Sequence, residues 1–322
     1  MRAMVIPRFG GPEVFELRDI ERPSPGPGDV LVRVIASGTN PVDAKIRQTG
    51  YWADLALPAV LGYEAAGVVE ETGAGVTAFR RGDEVYFAPE IHGNARGTYA
   101  EYSVAPASQI GLKPRNLSFE EAAAIPLAGG TAWEAVVRRL RLAPGETILI
   151  HGGAGGVGSL AVQFARAAGA RVIATASQAN LGTLRDLGAD VALDYGADDV
   201  TKRTLDETEG RGADAAFEVQ GGGDLVSRCL AAVRPFARIA CILPPAGNLR
   251  PLYTKNITLY GVFLTREGPR LEEMRRFFER GQARVLIDRV LPLEAVAEAH
   301  RRLDSHHGRG KIVLRVAGEP AT

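Results

Sequence analysis

Short runs rich in β-branched and other apolar residues fill the first third of the chain, at 30–34, 67–70, 84–87 and 99–104, separated by glycine and proline. Short β-branched runs broken by turn residues predict strands, so residues 1 to about 120 read as a compact all-β unit. From Pro144 the pattern changes. Apolar runs at 147–150, 171–176, 191–194, 213–219, 238–243 and 258–264 alternate with helical spacing. Six strands joined by helices predict a parallel sheet built from two βαβαβ halves.

The first intervening helix carries Val157, Leu160, Ala161, Phe164, Ala165 and Ala168 on one face, and Gly169 supplies a left-handed stop. Ser177 is placed to cap the next helix, which Gly188 ends. Helical patterns then follow at 271–280 and 293–303, with a strand at 311–316. Because six strands already complete the parallel sheet, this tail is expected to return to the first domain. The expected boundaries are 1–124, 125–265 for the nucleotide domain, and 266–322 for the returning tail.

Composition narrows the function classes. Lysine plus arginine equal aspartate plus glutamate at 38 each, so no net field attracts nucleic acid or an anionic membrane. The two cysteines, Cys229 and Cys241, lie in no CxxC and have no histidine at metal-ligand spacing. A reducing cytoplasm fits that usage, and no window approaches eighteen consecutive apolar residues. A soluble, cytoplasmic protein with no membrane or nucleic-acid partner is expected.

The chemistry is concentrated after the 147–150 run, where residues 151–158 read HGGAGGVG. Gly153, Gly155 and Gly158 satisfy G-x-G-x-x-G at a strand-to-helix turn, with Ala154, Gly156 and Val157 completing the loop. Three glycines alone are a weak signal in a glycine-rich chain. In a βαβ context they permit a tight turn and bring a pyrophosphate against backbone N–H groups at the positive helix end. A dinucleotide site is therefore expected, against the plainer reading of a turn with no ligand.

An acid near the end of the second strand normally holds the ribose 2′-hydroxyl of NAD. Here that strand ends Ala174-Thr175-Ala176-Ser177, without a carboxylate, while Ser177, Asn180, Arg185 and Tyr195 offer donors to a 2′-phosphate. NADPH is the coenzyme this favours. The competing reading makes Arg185 a solvated helix residue and Tyr195 a packed strand end.

Five ordered blocks carry a resemblance over nearly the whole chain: Gly38-Thr39-Asn40-Pro41-Val42-Asp43 with Arg47 and Gly50-Tyr51, Gly62-Tyr63-Glu64 with Gly67, Gly82-Asp83, Ala128-Gly129-Gly130-Thr131-Ala132, and HGGAGGVG. Together they resemble the medium-chain dehydrogenase/reductase superfamily, and within it the zinc-independent quinone oxidoreductase, or zeta-crystallin-like, branch. The resemblance implies an α/β fold with a Rossmann doubly wound parallel sheet inserted into a GroES-like, mainly β catalytic domain. It also implies a homodimer formed through the nucleotide domains, with 258–264 as a candidate pairing edge.

In the zinc alcohol dehydrogenases of that superfamily a cysteine falls where Asn40 stands and a histidine where Tyr63 stands. An amide and a phenol are poor zinc ligands, and no cysteine occurs between Val85 and Tyr99 for a structural zinc lobe, so no metal is expected. Without a Lewis acid the acceptor must spread its own charge, as quinones and conjugated carbonyls do. The alternatives are reduction of an enone, alkenal or enoyl double bond, and an NADPH-binding structural or redox-sensing protein with little turnover.

Asn40, Tyr51 and Tyr63 are the candidate polar contacts to the acceptor, in that order. The plainer readings are a turn asparagine before Pro41 and two packed aromatics. Asp43 and Arg47, four apart, read as a structural ion pair. Thr131, Val219, Leu243 and Phe263 are expected to line the coenzyme groove, although Thr131 also suits a helix cap and the apolar pair suits plain core. His92, His151, His300, His306 and His307 read as structural or exposed.

Overall fold

The computed structural model describes residues 1–220, 225–306 and 308–318, with the backbone alone over 225–227; His307 lies outside the described residues. The chain divides into two units. One comprises Met1–Ala128, Thr265–Gly281 and Val285–Thr322, the other Gly129–Leu264 and Gln282–Arg284.

In the first unit the ten-residue strand Asp29–Gly38 is the spine, pairing antiparallel with Ala65–Thr72, Tyr102–Pro106 and Lys311–Arg315. Its alternation buries Val30, Val32 and Val34 against Val69, Val85, Ile312 and Leu314. Strand Lys311–Arg315 also pairs in parallel with Ile287–Pro292, so the C-terminal segment is part of this sheet.

The all-β expectation needs one correction, because Pro41–Thr49 is a helix. Its local signals are strong. Asn40 is extended at φ −137°, Pro41 fills the first turn, and the Asp43 carboxylate accepts the Asn40 N–H at 2.8 Å in a capping box. Gly50 ends the helix at φ +75°, a left-handed conformation that glycine adopts without a side-chain clash.

The second unit holds a six-stranded parallel sheet in the order Val191–Asp194, Arg171–Ala176, Thr147–His151, Ala213–Glu218, Val233–Cys241, Thr258–Gly261. This is the doubly wound order, with its crossing point where Thr147–His151 meets Ala213–Glu218. The fifth strand starts five residues before the expected 238, since Val233 pairs with Ala213 ahead of a register shift and a left-handed Phe236 (φ +61°). A proline and a left-handed residue in mid-strand hide the alternation.

Helix Gly156–Ala167 buries Leu160, Ala161, Phe164 and Ala165, with Trp133 edge-on to Phe164 at 5.1 Å between centroids. Ser177 does not cap its helix with a hydrogen bond. A short turn, Gln178–Asn180, intervenes before Leu181–Asp186, and the Asn180 amide donates to Ser177 Oγ at 3.1 Å. Among the described residues no helix is long and apolar enough to cross a membrane.

Candidate active site

The glycine loop leaves strand Thr147–His151 through Gly152 at φ +71° and enters helix Gly156–Ala167. Two bonds tie it to the adjacent strand: Gly152 N–H donates to Thr175 Oγ1 (3.1 Å) and Gly153 N–H to Thr175 O (2.8 Å). A methyl at Gly158 would lie 2.1 Å from Gly152 O, so only glycine lets the helix approach the strand end this closely. A methyl at Gly155 would meet nothing nearer than Gly152 O at 3.5 Å, which makes Gly155 the open side of the turn. The N–H groups of Gly156, Val157 and Gly158 precede the first intrahelical bond, from Ser159 to Gly155, and form the positive helix end. A loop with an open glycine face and three leading N–H groups fits a pyrophosphate.

A cavity of about 380 Å³ opens at the same carboxyl ends, lined by His151, Thr175, Tyr195, Asp199, Gln220 and Arg228 among others. Ser177 and Asn180 follow strand Arg171–Ala176, and half-exposed Tyr195 follows Val191–Asp194. Arg185 is exposed in the last turn of Leu181–Asp186, about 6 Å along the axis from Leu181. Val219 and Leu243 are half-buried just past their strands, Phe263 is 65% exposed past Thr258–Gly261, and Thr131 is buried within helix Ala128–Trp133. Ala154 is buried in the loop.

Sequence reasoning missed a cluster beneath this loop. His151 and Glu218 are in-register partners on adjacent parallel strands, and Cys229 reaches them from helix Leu225–Ala232. One ligand atom from each lies within 4.8 Å of the others, and all three residues are buried. Burial and the charge of Arg228 hold the His151 imidazole down to about 4, while burial and the charge of Glu218 push the Cys229 thiol up. No histidine lies at metal-ligand spacing from either cysteine in the sequence; strand register brings His151 and Cys229 together instead.

In the first unit, Asn40 sits at the head of its helix with both ends of its amide engaged. Nδ2 donates to Glu64 Oε1 at 2.9 Å, and Oδ1 accepts from Lys311 Nζ at 2.5 Å. Since Lys311 can only donate and Glu64 accepts, the amide orientation is fixed, leaving one N–H of the buried Asn40 amide beyond these two bonds. Lys311 also pairs with Glu64 Oε1 at 2.5 Å and donates to Thr39 O at 2.6 Å, while Glu64 Oε2 accepts from Leu127 N–H at 2.8 Å.

A directed chain runs below it. Arg47 Nη1 contacts His300 Nδ1 at 3.1 Å, His300 Nε2 contacts the Tyr99 hydroxyl at 3.3 Å, and that hydroxyl donates to Asp43 Oδ2 at 2.8 Å. Arginine has no acceptor, so Nδ1 must accept and Nε2 must carry the proton. Burial, then Arg47, hold His300 down to about 3, and burial raises Asp43 to about 7. The expected Asp43–Arg47 ion pair is corrected: Arg47 pairs with Asp304 at 2.8 Å, and Asp43 serves the capping box. A carboxylate in the first turn is drawn back to the helix start.

Tyr51 is half-exposed and left-handed (φ +47°), with the Lys45 ammonium 5.6 Å from its ring centroid. Tyr63 needs correcting as a polar contact to an acceptor. It is fully buried, its hydroxyl points to Asn94 O at 3.5 Å, and burial with the Asp43 charge drives its phenol up. A zinc ion does not fit at Asn40, Tyr63 and Glu64 either. The lysine ammonium already compensates Glu64, and an amide and a buried phenol replace the ligands zinc wants.

Residues 26–115 match the family described as the alcohol dehydrogenase GroES-like domain, and residues 187–314 the one described as zinc-binding dehydrogenase. A chloroplastic NADPH-dependent alkenal/one oxidoreductase of Arabidopsis thaliana is 34% identical, covering 98% of this chain and 79% of that protein. A quinone oxidoreductase of Pseudomonas aeruginosa is 33% identical over 95% and 97% of the two chains. Among solved structures, an NAD-dependent alcohol dehydrogenase superposes with TM-score 0.92 at 36% identity, over 98% of this chain and 100% of that one. A mycobacterial protein complexed with NADPH superposes with TM-score 0.88 at 32% identity, over 98% and 100%.

Proposed function

The chain belongs to the zeta-crystallin-like quinone oxidoreductase branch of the medium-chain dehydrogenase/reductase superfamily, with a GroES-like domain and a Rossmann sheet, and we propose that it reduces quinones with NADPH without a metal. The observation that carries this reading is the Asn40 amide, which Lys311 and Glu64 orient so that an N–H is what it offers. An oxygen gaining negative charge as hydride adds to a conjugated acceptor is what such a donor stabilises. NADPH held at the glycine loop would supply the hydride, and the acceptor oxygen would then take a proton from solvent.

The chain's own contribution is placement and charge. The glycine loop and the N–H groups of Gly156, Val157 and Gly158 hold the pyrophosphate, while Ser177, Asn180 and Tyr195 offer hydroxyl and amide donors to a 2′-phosphate. Support for NADPH comes from that donor set, from the absent carboxylate after Ala176, and from the NADPH named for two relatives. A neighbour named as NAD-dependent makes coenzyme preference the first thing to measure. Reduction of an enone or alkenal is the second reading, favoured by the alkenal/one oxidoreductase relative. Strand Thr258–Gly261 is a sheet edge flanked by exposed Phe263, which supports a homodimer paired along it.

The test is a spectrophotometric panel: NADPH and NADH oxidation against a benzoquinone, a naphthoquinone, an alkenal and a cyclic enone. Turnover with a quinone and at least tenfold preference for NADPH is expected. Preference for NADH removes the phosphate assignment, and coenzyme binding without turnover of any acceptor leaves a binding protein.

A further inference from the structure

We propose that His151, Glu218 and Cys229 form a site for one zinc-class divalent cation inside the second unit. Strands Thr147–His151 and Ala213–Glu218 are parallel neighbours with His151 opposite Glu218, so imidazole and carboxylate leave the sheet on the same face. Cys229 meets them from helix Leu225–Ala232. The three ligand atoms lie within 4.8 Å of one another, with every residue buried.

Three features point to a cation. Zinc binds imidazole nitrogen and carboxylate oxygen at about 2.0–2.2 Å and thiolate at about 2.3 Å, so tetrahedral neighbours sit roughly 3.3–3.8 Å apart. Closing from the observed spread takes about 1 Å of side-chain rotation. Charge also balances: one divalent cation with a thiolate, a carboxylate and a neutral imidazole is net neutral, which a buried site needs. Finally, His151 Nε2 is buried with no hydrogen-bond partner among the described residues, the state of a ligand nitrogen awaiting its ion.

The surroundings complete the set. The Gln220 N–H donates to Glu218 Oε1 at 2.7 Å and fixes the carboxylate's orientation, as outer partners of metal ligands do. His151 and Gln220 also line the 380 Å³ cavity, which gives a water access to the fourth position. The ion would clasp two central strands to a helix at the sheet's crossing point. Nothing here depends on the acceptor reduced by the enzyme.

The experiment titrates Co²⁺ into chelator-treated full-length protein and follows absorption. One equivalent is expected to raise a thiolate-to-cobalt charge-transfer band that Zn²⁺ abolishes. C229S should lose the band, C241S should keep it, and H151Q should weaken Co²⁺ binding at least tenfold. Circular dichroism checks that each variant folds; should C229S not fold, the wild-type band and H151Q decide. A wild type that takes up no cobalt, or takes it up without the thiolate band, overturns the site. So does a band that survives in C229S or vanishes in C241S.

Discussion

The ammonium of Lys311 lies 2.5 Å from Glu64 Oε1, with neither side chain more than 5% exposed. The two residues are far apart in the chain and meet because strand Lys311–Arg315 pairs beside Asp29–Gly38, whose last residue donates its N–H to Glu64 O. Each charge has further partners: Thr39 O and Asn40 Oδ1 for the ammonium, Asn40 Nδ2 and Leu127 N–H for the carboxylate. Both ions are therefore fully solvated by protein.

Removing one partner strands the other. Lys311→Met or Glu64→Gln should each lower unfolding free energy by about 3–5 kcal/mol, because an uncompensated buried charge remains or its hydrogen bonds break. The double variant should cost at least about 1 kcal/mol less than the sum of the singles. Urea unfolding of the four proteins checks this, and strict additivity would show that the pair is not coupled.

Two glycines of one loop should respond in opposite ways. Gly158→Ala places a methyl 2.1 Å from Gly152 O, a backbone atom that cannot yield, so the helix must back away from the strand. A loss of several kcal/mol is expected, comparable to severe overpacking. Gly155→Ala meets only ordinary contact at 3.5 Å and should fold with near wild-type stability, yet its methyl would stand on the open face proposed for the pyrophosphate and should weaken NADPH binding at least tenfold. Thermal melts with fluorescence titration separate the two, and a Gly155→Ala protein with unchanged affinity would move the phosphate site elsewhere.

Much of this was legible in the chain. Strands 84–87, 171–176 and 191–194 match their runs because each is a short, largely apolar segment. The glycine loop was legible for the same local reason, since turn and helix start are encoded within eight residues. What stayed hidden depends on distant pairing. The partners of Lys311 are set only when its strand meets Thr39 and Asn40. His151 beside Glu218 is a fact of register, and Arg47 finds Asp304 rather than Asp43 because a helix cap competes for the nearer carboxylate.

Asn40 should matter more for rate than for coenzyme binding. Asn40→Ala removes the oriented donor and is expected to lower kcat/KM for a quinone by roughly 100- to 1,000-fold, the usual effect of deleting one donor to a developing oxyanion. NADPH affinity should change less than threefold. Tyr51→Phe, which deletes a hydroxyl from a half-exposed ring, should fall between wild type and Asn40→Ala. Steady-state kinetics with a direct NADPH titration decide, and an Asn40→Ala enzyme of unchanged turnover removes the amide from the mechanism.

The two titrating groups in the Arg47–His300–Tyr99–Asp43 chain pull stability in opposite directions with pH. His300 is held down to about 3 in the folded protein against an ordinary 6.5, so the unfolded chain binds a proton first, and stability is lost as pH falls from 6.5 toward 3. Asp43 is raised to about 7 against 3.8, so its folded form binds the proton first, and stability is lost as pH rises from 3.8 through 7. Each limiting slope is about 1.4 kcal/mol per pH unit, with opposite sign, so the pair nearly cancels between pH 4 and 6.5. Arg47, Lys311, Glu64 and Tyr99 face the same groups and are shared by every variant compared. Relative to wild type, Asp43→Asn should therefore grow more stable from pH 4 to 6.5, and His300→Gln should grow less stable over the same window. Urea midpoints at half-unit steps of pH measure both slopes, and parallel profiles for all three proteins would mean that neither group titrates as its burial dictates.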